Sequence, residues 1–303
     1  MSEERTMPPV EPLVIRSLVR VEKTTANDRS IGAILIDAGR LTLEDAERIL
    51  RKQKEDGLRF GEAAIKLGLL AEVDIQFALA RQFDYPYLVP GESNVSGELV
   101  AAYQPFSRQV EALRALRSQL MLRWFNGNLD RRAISIVSTS RNEGRSYLAA
   151  NLAIVFSQLG ERTLLIDADL RNPRQHELFG LPNRAGLSQL VTARADETAI
   201  ERVPTFMDFS VLTAGSVPPN PQELLSRSSF SNLLGSLVER YDVIILDTPA
   251  ADQGADAQIV ADRAGAALVV ARQNHSYVGD LQDLSESLHH AATAIVGVVM
   301  NNF

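Results

Sequence analysis

Three short stretches of this 303-residue chain carry side chains that handle phosphate and a divalent cation. The first, Ser138-Thr-Ser-Arg-Asn-Glu-Gly-Arg-Ser-Tyr147, lies between an apolar run, Ala133 to Ser138, and a helix-like run that opens at Leu148. A strand, a loop with glycine near its end, a cation, a hydroxyl and a helix together make an anion site. Backbone N–H groups hold the phosphates, the cation reaches the outer ones, and the hydroxyl meets magnesium. On that plan Asn142, Glu143, Gly144, Arg145, Ser146 and Tyr147 are the expected nucleotide-binding residues. Thr139 stands where such loops open with glycine, and Arg145 where they place lysine. Arginine keeps the charge but is planar and bulkier, so the exchange is not neutral at a tight site. The other two stretches end apolar runs in acids: Leu164-Leu-Ile-Asp167-Ala-Asp169 and Val243-Ile-Ile-Leu-Asp247. Oxygen ligands beside a phosphate loop suit magnesium, and a carboxylate near the outer phosphate can accept a hydroxyl proton. Ser146, Asp167 and Asp247 are thus the expected metal residues, and Asp167, Asp169 and Arg145 the expected catalytic ones. The bland alternative is that these acids only cap strand ends. The four histidines, His176, His275, His289 and His290, show no metal-ligand spacing.

The elements that must position these groups follow from the alternation after Ser107. Apolar runs at Ala133–Ser138, Arg162–Asp167, Phe209–Thr213, Val243–Asp247, Ala266–Ala271 and Val296–Met300 are separated by helical stretches. Such runs predict an α/β fold, a mostly parallel sheet with helices on both faces and ligands beyond the carboxyl ends of the strands. The chain has no cysteine, which excludes disulfides, thiolate zinc sites, iron–sulfur clusters and cysteine nucleophiles, and a reducing cytoplasm is the expected home. A formal net charge of -7 gives no general nucleic-acid footprint, and no apolar run reaches the ~18 to 20 residues of a membrane span.

With these motifs goes a resemblance. Leu164 to Arg171, Asp169-Leu-Arg-Asn-Pro173, Ala214-Gly-Ser-Val-Pro-Pro-Asn-Pro-Gln-Glu-Leu-Leu225 and Val243 to Pro249 resemble the bacterial tyrosine kinases of capsule and exopolysaccharide export, relatives of the MinD and ParA ATPases. The likeness covers residues 107–303. It implies ATP or ADP with Mg2+, metal binding and catalytic support from Asp167 and Asp169, and water-mediated contact of Asp247 with magnesium. It also implies a membrane chain-length-determinant protein, a polysaccharide co-polymerase, as activating partner, with recruitment to the inner face of the inner membrane. Glu111, Arg114 and Arg117 match a family helix that packs on a neighbour's active site and closes a ring, so a homo-oligomer is expected; i, i+3 spacing puts the three on one face. Asn301 is expected near the adenine. Ala250 replaces a usual proline, and the family's tyrosine-rich tail has no counterpart, Tyr277 being the last tyrosine. Two other functions stay open: a nucleotide- or cyclic di-GMP-binding scaffold that transfers nothing, and a MinD- or ParA-like positioning ATPase, disfavoured because Thr139 stands where those proteins carry a second loop lysine.

Upstream, residues 1–27 read as a flexible leader, with one segment near Leu13–Arg16 apolar enough to dock, and 89–106 as a linker rich in proline, glycine and serine. Between them, over 28–88, is an internal repeat: Gly32, Gly39 and Gln53 recur 29 positions later as Gly61, Gly68 and Gln82. The pattern predicts two helical hairpins, with helices at Ile31–Ala38, Leu43–Lys52, Phe60–Leu67 and Val73–Phe83. This small α unit resembles the N-terminal domain of type II secretion and pilus ATPases, some of which bind cyclic di-GMP. The resemblance implies such a site at Arg29, Gly32, Gly39, Gln53, Arg59, Gly61, Gly68 and Gln82. The alternative is that the glycines are helix caps in a protein-docking module.

Overall fold

The computed structural model describes residues 29–83, 88, 91 and 93–302. The leader over 1–27, with its segment near Leu13–Arg16, lies outside the described residues. Seven strands, β1 (Ala133–Ser138), β2 (Thr163–Asp167), β3 (Ile200–Arg202), β4 (Phe209–Leu212), β5 (Val243–Asp247), β6 (Ala266–Arg272) and β7 (Ala294–Asn301), form one sheet in the order β3-β4-β2-β5-β1-β6-β7. Every pairing is parallel except that of β3 with β4. The six strands read from the sequence are present. The short edge strand β3 escaped, because Ile-Glu-Arg carries neither an apolar run nor an alternation.

The central strands are buried at every residue and only the face alternates, as a sheet covered on both sides requires. Ile134, Ile136, Leu165, Val243 and Ile245 face one layer of the core, whereas Leu164, Ile166, Ile244 and Leu246 face the other. The first layer holds α5 (Val100–Tyr103), α6 (Arg108–Arg123), α7 (Arg145–Ser157) and α8 (Gln175–Phe179). The second holds α9 (Leu187–Val191), α10 (Pro221–Leu225), α11 (Ser228–Leu237) and α12 (Asp256–Ala264), and α12 packs with α13 (Val278–His290) over β1 and β6. α7 is buried almost throughout, so its direction is fixed by contact on all sides. It starts three residues before the expected Leu148, at Arg145, and its cap is Gly144 in the left-handed region at φ 93°. Only glycine adopts that conformation without steric cost.

The stretch read as a linker behaves differently from its composition. Leu99, Ala101, Ala102 and Tyr103 are buried in the main core, the Ala101 N–H donates to Asn151 Oδ1 at 2.9 Å, and the Tyr103 hydroxyl donates to the Val95 carbonyl at 2.5 Å. Over 93–106 the chain is therefore a packed part of the sheet's helical layer. Its many small and polar residues disguise a few well-placed apolar anchors.

Upstream lie α1 (Ile31–Asp37), α2 (Leu43–Asp56), α3 (Phe60–Lys66) and α4 (Glu72–Gln82), packed round a core of their own. α2 runs four residues beyond the expected Lys52. Lys52 pairs with Asp56 at 3.2 Å one turn on, and Gly57 at φ 65° ends the helix. Gly39 and Gly68 take φ 68° and 67° after α1 and α3. At Gly32 and Gly61 the need is for space: an added Cβ would lie 3.2 Å from the Phe60 ring or 3.1 Å from Ile75 Cγ2. All four glycines are thus explained by caps and helix packing. Arg29 pairs with Asp37 in solvent, Arg59 caps α3 through its backbone with Glu62, the Gln53 carbonyl accepts from Leu58, and Gln82 ends α4.

Candidate functional site

The register places Asp167 directly opposite Asp247, and Ile136 of β1 beside Asp247 on its other side. Both carboxylates therefore sit at adjacent strand ends, next to the loop that leaves β1. Each is fully buried. Asp167 Oδ1 accepts from the Asp169 N–H at 3.2 Å, and Oδ2 from those of Arg174 at 3.0 Å and Gln175 at 2.9 Å, so this side chain fastens the start of α8 to the end of β2. Asp247 Oδ2 accepts from Gln175 Nε2 at 2.7 Å, and the Ser146 hydroxyl lies near enough to favour the ionised form of the same carboxylate. Asp247 Oδ1, by contrast, is buried and has no partner. An orphaned carboxylate oxygen beside a serine hydroxyl is a fitting place for a hard cation, which brings its own waters and the phosphate oxygens. Among the described residues, no three acidic or histidine side chains converge into a cage of their own.

Burial pushes the Asp167 carboxyl well above the usual carboxylate range, and the neighbouring Asp247 adds to it. Burial also raises Asp247, to about 6, against the pull of Arg145, Ser146 and Gln175. Asp169 is nearly buried and lines a cleft of about 230 Å³ together with Asn142, Gly144, Arg145, Ser146 and Tyr147. Its Oδ1 accepts from the Arg171 and Asn172 amides at 3.1 and 2.8 Å. Burial and the nearby Glu98 raise the Tyr147 phenol.

The loop is braced from within. The buried Glu143 carboxylate accepts from Thr139 Oγ1 at 3.1 Å, from the Ser140 N–H at 2.9 Å and from the Ser276 hydroxyl. Burial alone would raise Glu143, but these hydrogen bonds hold it below its ordinary value. Asn301 Nδ2 donates to the Glu143 carbonyl at 2.7 Å, so Asn301 supports the loop from behind and does not line the cleft. Arg145 folds beneath the loop: Nε donates to the Thr248 carbonyl at 2.8 Å, and one terminal nitrogen to the Ser140 carbonyl at 3.0 Å and the Ser138 hydroxyl. Asn142 takes φ 61°, and among the described residues no protein group accepts from the backbone amides of residues 142–146. A run of unpaired amides at a buried helix N-terminus is a ready anion site.

Sequence reasoning missed Gln175, whose backbone and side chain join Asp167, Asp247 and the Ser146 carbonyl. No spacing signals it; a polar residue buried at the start of a short helix shows only in three dimensions. The expected interface residues lie on α6, where Glu111 is exposed and pairs with Arg114 at 3.1 Å, while Arg117 turns inward to the Val155 carbonyl at 2.7 Å.

No family model matches the chain. Over 211 residues it is 33% identical to the tyrosine-protein kinase YwqD of Bacillus subtilis, covering 69% of this chain and 87% of YwqD. It is 31% identical over 205 residues to the tyrosine-protein kinase wzc of Salmonella typhimurium, covering 68% of this chain but only 28% of wzc. Among solved structures, the chimerical protein CapA2B2 superposes with a TM-score of 0.63 at 32% identity, over 74% of this chain and 96% of that one. The kinase domain of the Escherichia coli tyrosine kinase ETK gives 0.63 at 32%, over 67% and 79%. MinD of Pyrococcus horikoshii, complexed with Mg-ADP, is more distant at 0.50 and 26%, over 56% and 70%. With its sheet order, its loop and its paired strand-end acids on the scaffold these kinases share, the chain belongs to the bacterial tyrosine-protein kinases.

Proposed function

We propose that the chain is an ATP-dependent protein tyrosine kinase of exopolysaccharide assembly. The observation that carries this reading is the row of unpartnered amides at 142–146, set beside the Ser146–Asp247 pair and the cleft carboxylate Asp169. The amides and the N-terminus of α7 hold the phosphates of ATP or ADP. Ser146 and Asp247 would hold Mg2+, which supplies charge neutralisation on the transferring phosphoryl group. Asp167 keeps the Asp169 turn and α8 in register with β5. Asp169 takes the proton of the incoming phenol as its oxygen bonds to phosphorus and ADP departs. Arg145 holds the loop floor together.

Around this core the same reading puts a membrane chain-length protein as activator and, through Glu111 and Arg114 on α6, a homo-oligomer. No helix among the described residues is long and apolar enough to cross a membrane, so recruitment to the inner face of the membrane would fall to that partner. For α1–α4, protein docking is better supported than cyclic di-GMP binding, since caps and packing account for its glycines. A second reading, a nucleotide-binding scaffold, is favoured by Arg145 alone, whose donors are occupied within the loop. Incubation with Mg2+ and γ-labelled ATP decides between them. Label on tyrosine that disappears in Asp169→Ala supports the kinase, whereas tight ATP binding with no phosphotyrosine, on itself or on its membrane partner, leaves the scaffold.

A further inference from the structure

Three of the side chains lining the cleft beside the loop are arginines, Arg141, Arg145 and Arg174, and their charges are differently engaged. Arg145 is 7% exposed, bonds three acceptors of its own loop and strand ends, and acts on Asp247. Arg174 forms an ion pair with Glu98 at 2.6 Å. Arg141 is exposed, and among the described residues no carboxylate pairs with it. Its guanidinium donates to Gln253 Oε1 at 3.1 Å, a neutral amide that also accepts from Asn172 at 3.2 Å. It stands next to Asn142, immediately before the segment whose amides are unpartnered.

We propose that Arg141 meets the outer phosphates of the bound nucleotide, leaving Arg145 as the clamp under the loop. The inference rests on the loop being the nucleotide site. To reach a phosphate, Arg174 must leave a carboxylate and Arg145 must leave three acceptors. Arg141 exchanges one neutral contact for an anion, and its planar fork matches two phosphate oxygens at once. The position normally held by lysine thus keeps a structural cation, and the phosphate-facing charge moves four residues upstream.

Calorimetric titration of the full chain with Mg-ATP, Mg-ADP and AMP tests this. In Arg141→Gln, Mg-ATP affinity falls about 10- to 100-fold, the range of one charge-assisted hydrogen bond, while AMP affinity stays at the wild-type value. Arg141→Lys recovers part of the loss, as a point charge without the fork. Thermal melting of both variants matches wild type, because the side chain is exposed. Wild-type Mg-ATP affinity in Arg141→Gln overturns the assignment and leaves the nucleotide site standing. So does an equal loss for AMP and ATP, which marks a damaged loop. A wild-type chain that binds no nucleotide overturns the reading of the loop and the assignment with it.

Discussion

At the scale of the residue, the site is defined by how each polar atom is satisfied. Asp247 is held ionised at neutral pH against burial, and its ionisation is a cost that folding bears. Its folded pKa of about 6 lies above the unfolded value of 3.8, so the folded state binds the proton more tightly. Stability therefore rises as pH falls through about 6, and that gain is lost again as pH rises through the same value. Asp247→Asn, which mimics the protonated form, should melt higher than wild type at pH 7 by on the order of 2 to 3 kcal/mol, while losing magnesium-dependent ATP binding. Denaturant unfolding with and without Mg-ATP checks both halves. Removing magnesium from wild type should weaken ATP binding at pH 7.5 and matter progressively less below about pH 6 as Asp247 protonates. Arg145→Ala should destabilise the chain by roughly 2 to 4 kcal/mol, since it strands the buried Thr248 carbonyl and removes the contacts to Ser138 and Ser140. The same unfolding curves read it. Motif spacing marked the loop and its three acids correctly as neighbours. It could not show that Asp167 faces backbone amides, that Glu143 is a brace, or that Arg145 points beneath the loop, because these depend on which direction a side chain leaves a turn.

At the scale of the element, the sequence pattern revealed six strands because each is a run of mostly apolar residues four to eight long, buried in the central strands and partly exposed only in the edge strand β7. It failed at β3, whose three residues pair with β4 in a half-exposed edge. It also misread 93–106, where a turn-rich composition hides buried anchors. Asn151 on α7 ties that segment down through its Oδ1, which accepts from the Ala101 N–H, while its Nδ2 donates to the Tyr147 carbonyl of its own helix at 2.9 Å. Asn151→Ala leaves the buried Ala101 N–H without a partner and should cost about 1 to 3 kcal/mol, measured by urea unfolding. In α1–α4, Gly68→Ala meets no neighbouring atom but forces alanine to φ 67°, so a loss of about 1 kcal/mol is expected from backbone strain alone.

At the scale of the whole molecule, the parallel sheet brings groups distant in sequence to one carboxyl edge: the loop after β1, the acids of β2 and β5, and the support from Ser276 and Asn301 after β6 and at β7. Fold class and the expected ligand edge followed from the alternation of apolar runs and helical stretches, while the connections across the edge did not. The central claim is that the amides after β1 hold the phosphates while the strand-end acids manage the metal. Hydrogen–deuterium exchange of the full chain, with and without Mg-ATP, addresses it most directly. The account predicts slowed exchange concentrated in 138–147, with a smaller effect over 167–175. Exchange over 138–147 that is unchanged at saturating Mg-ATP would contradict it.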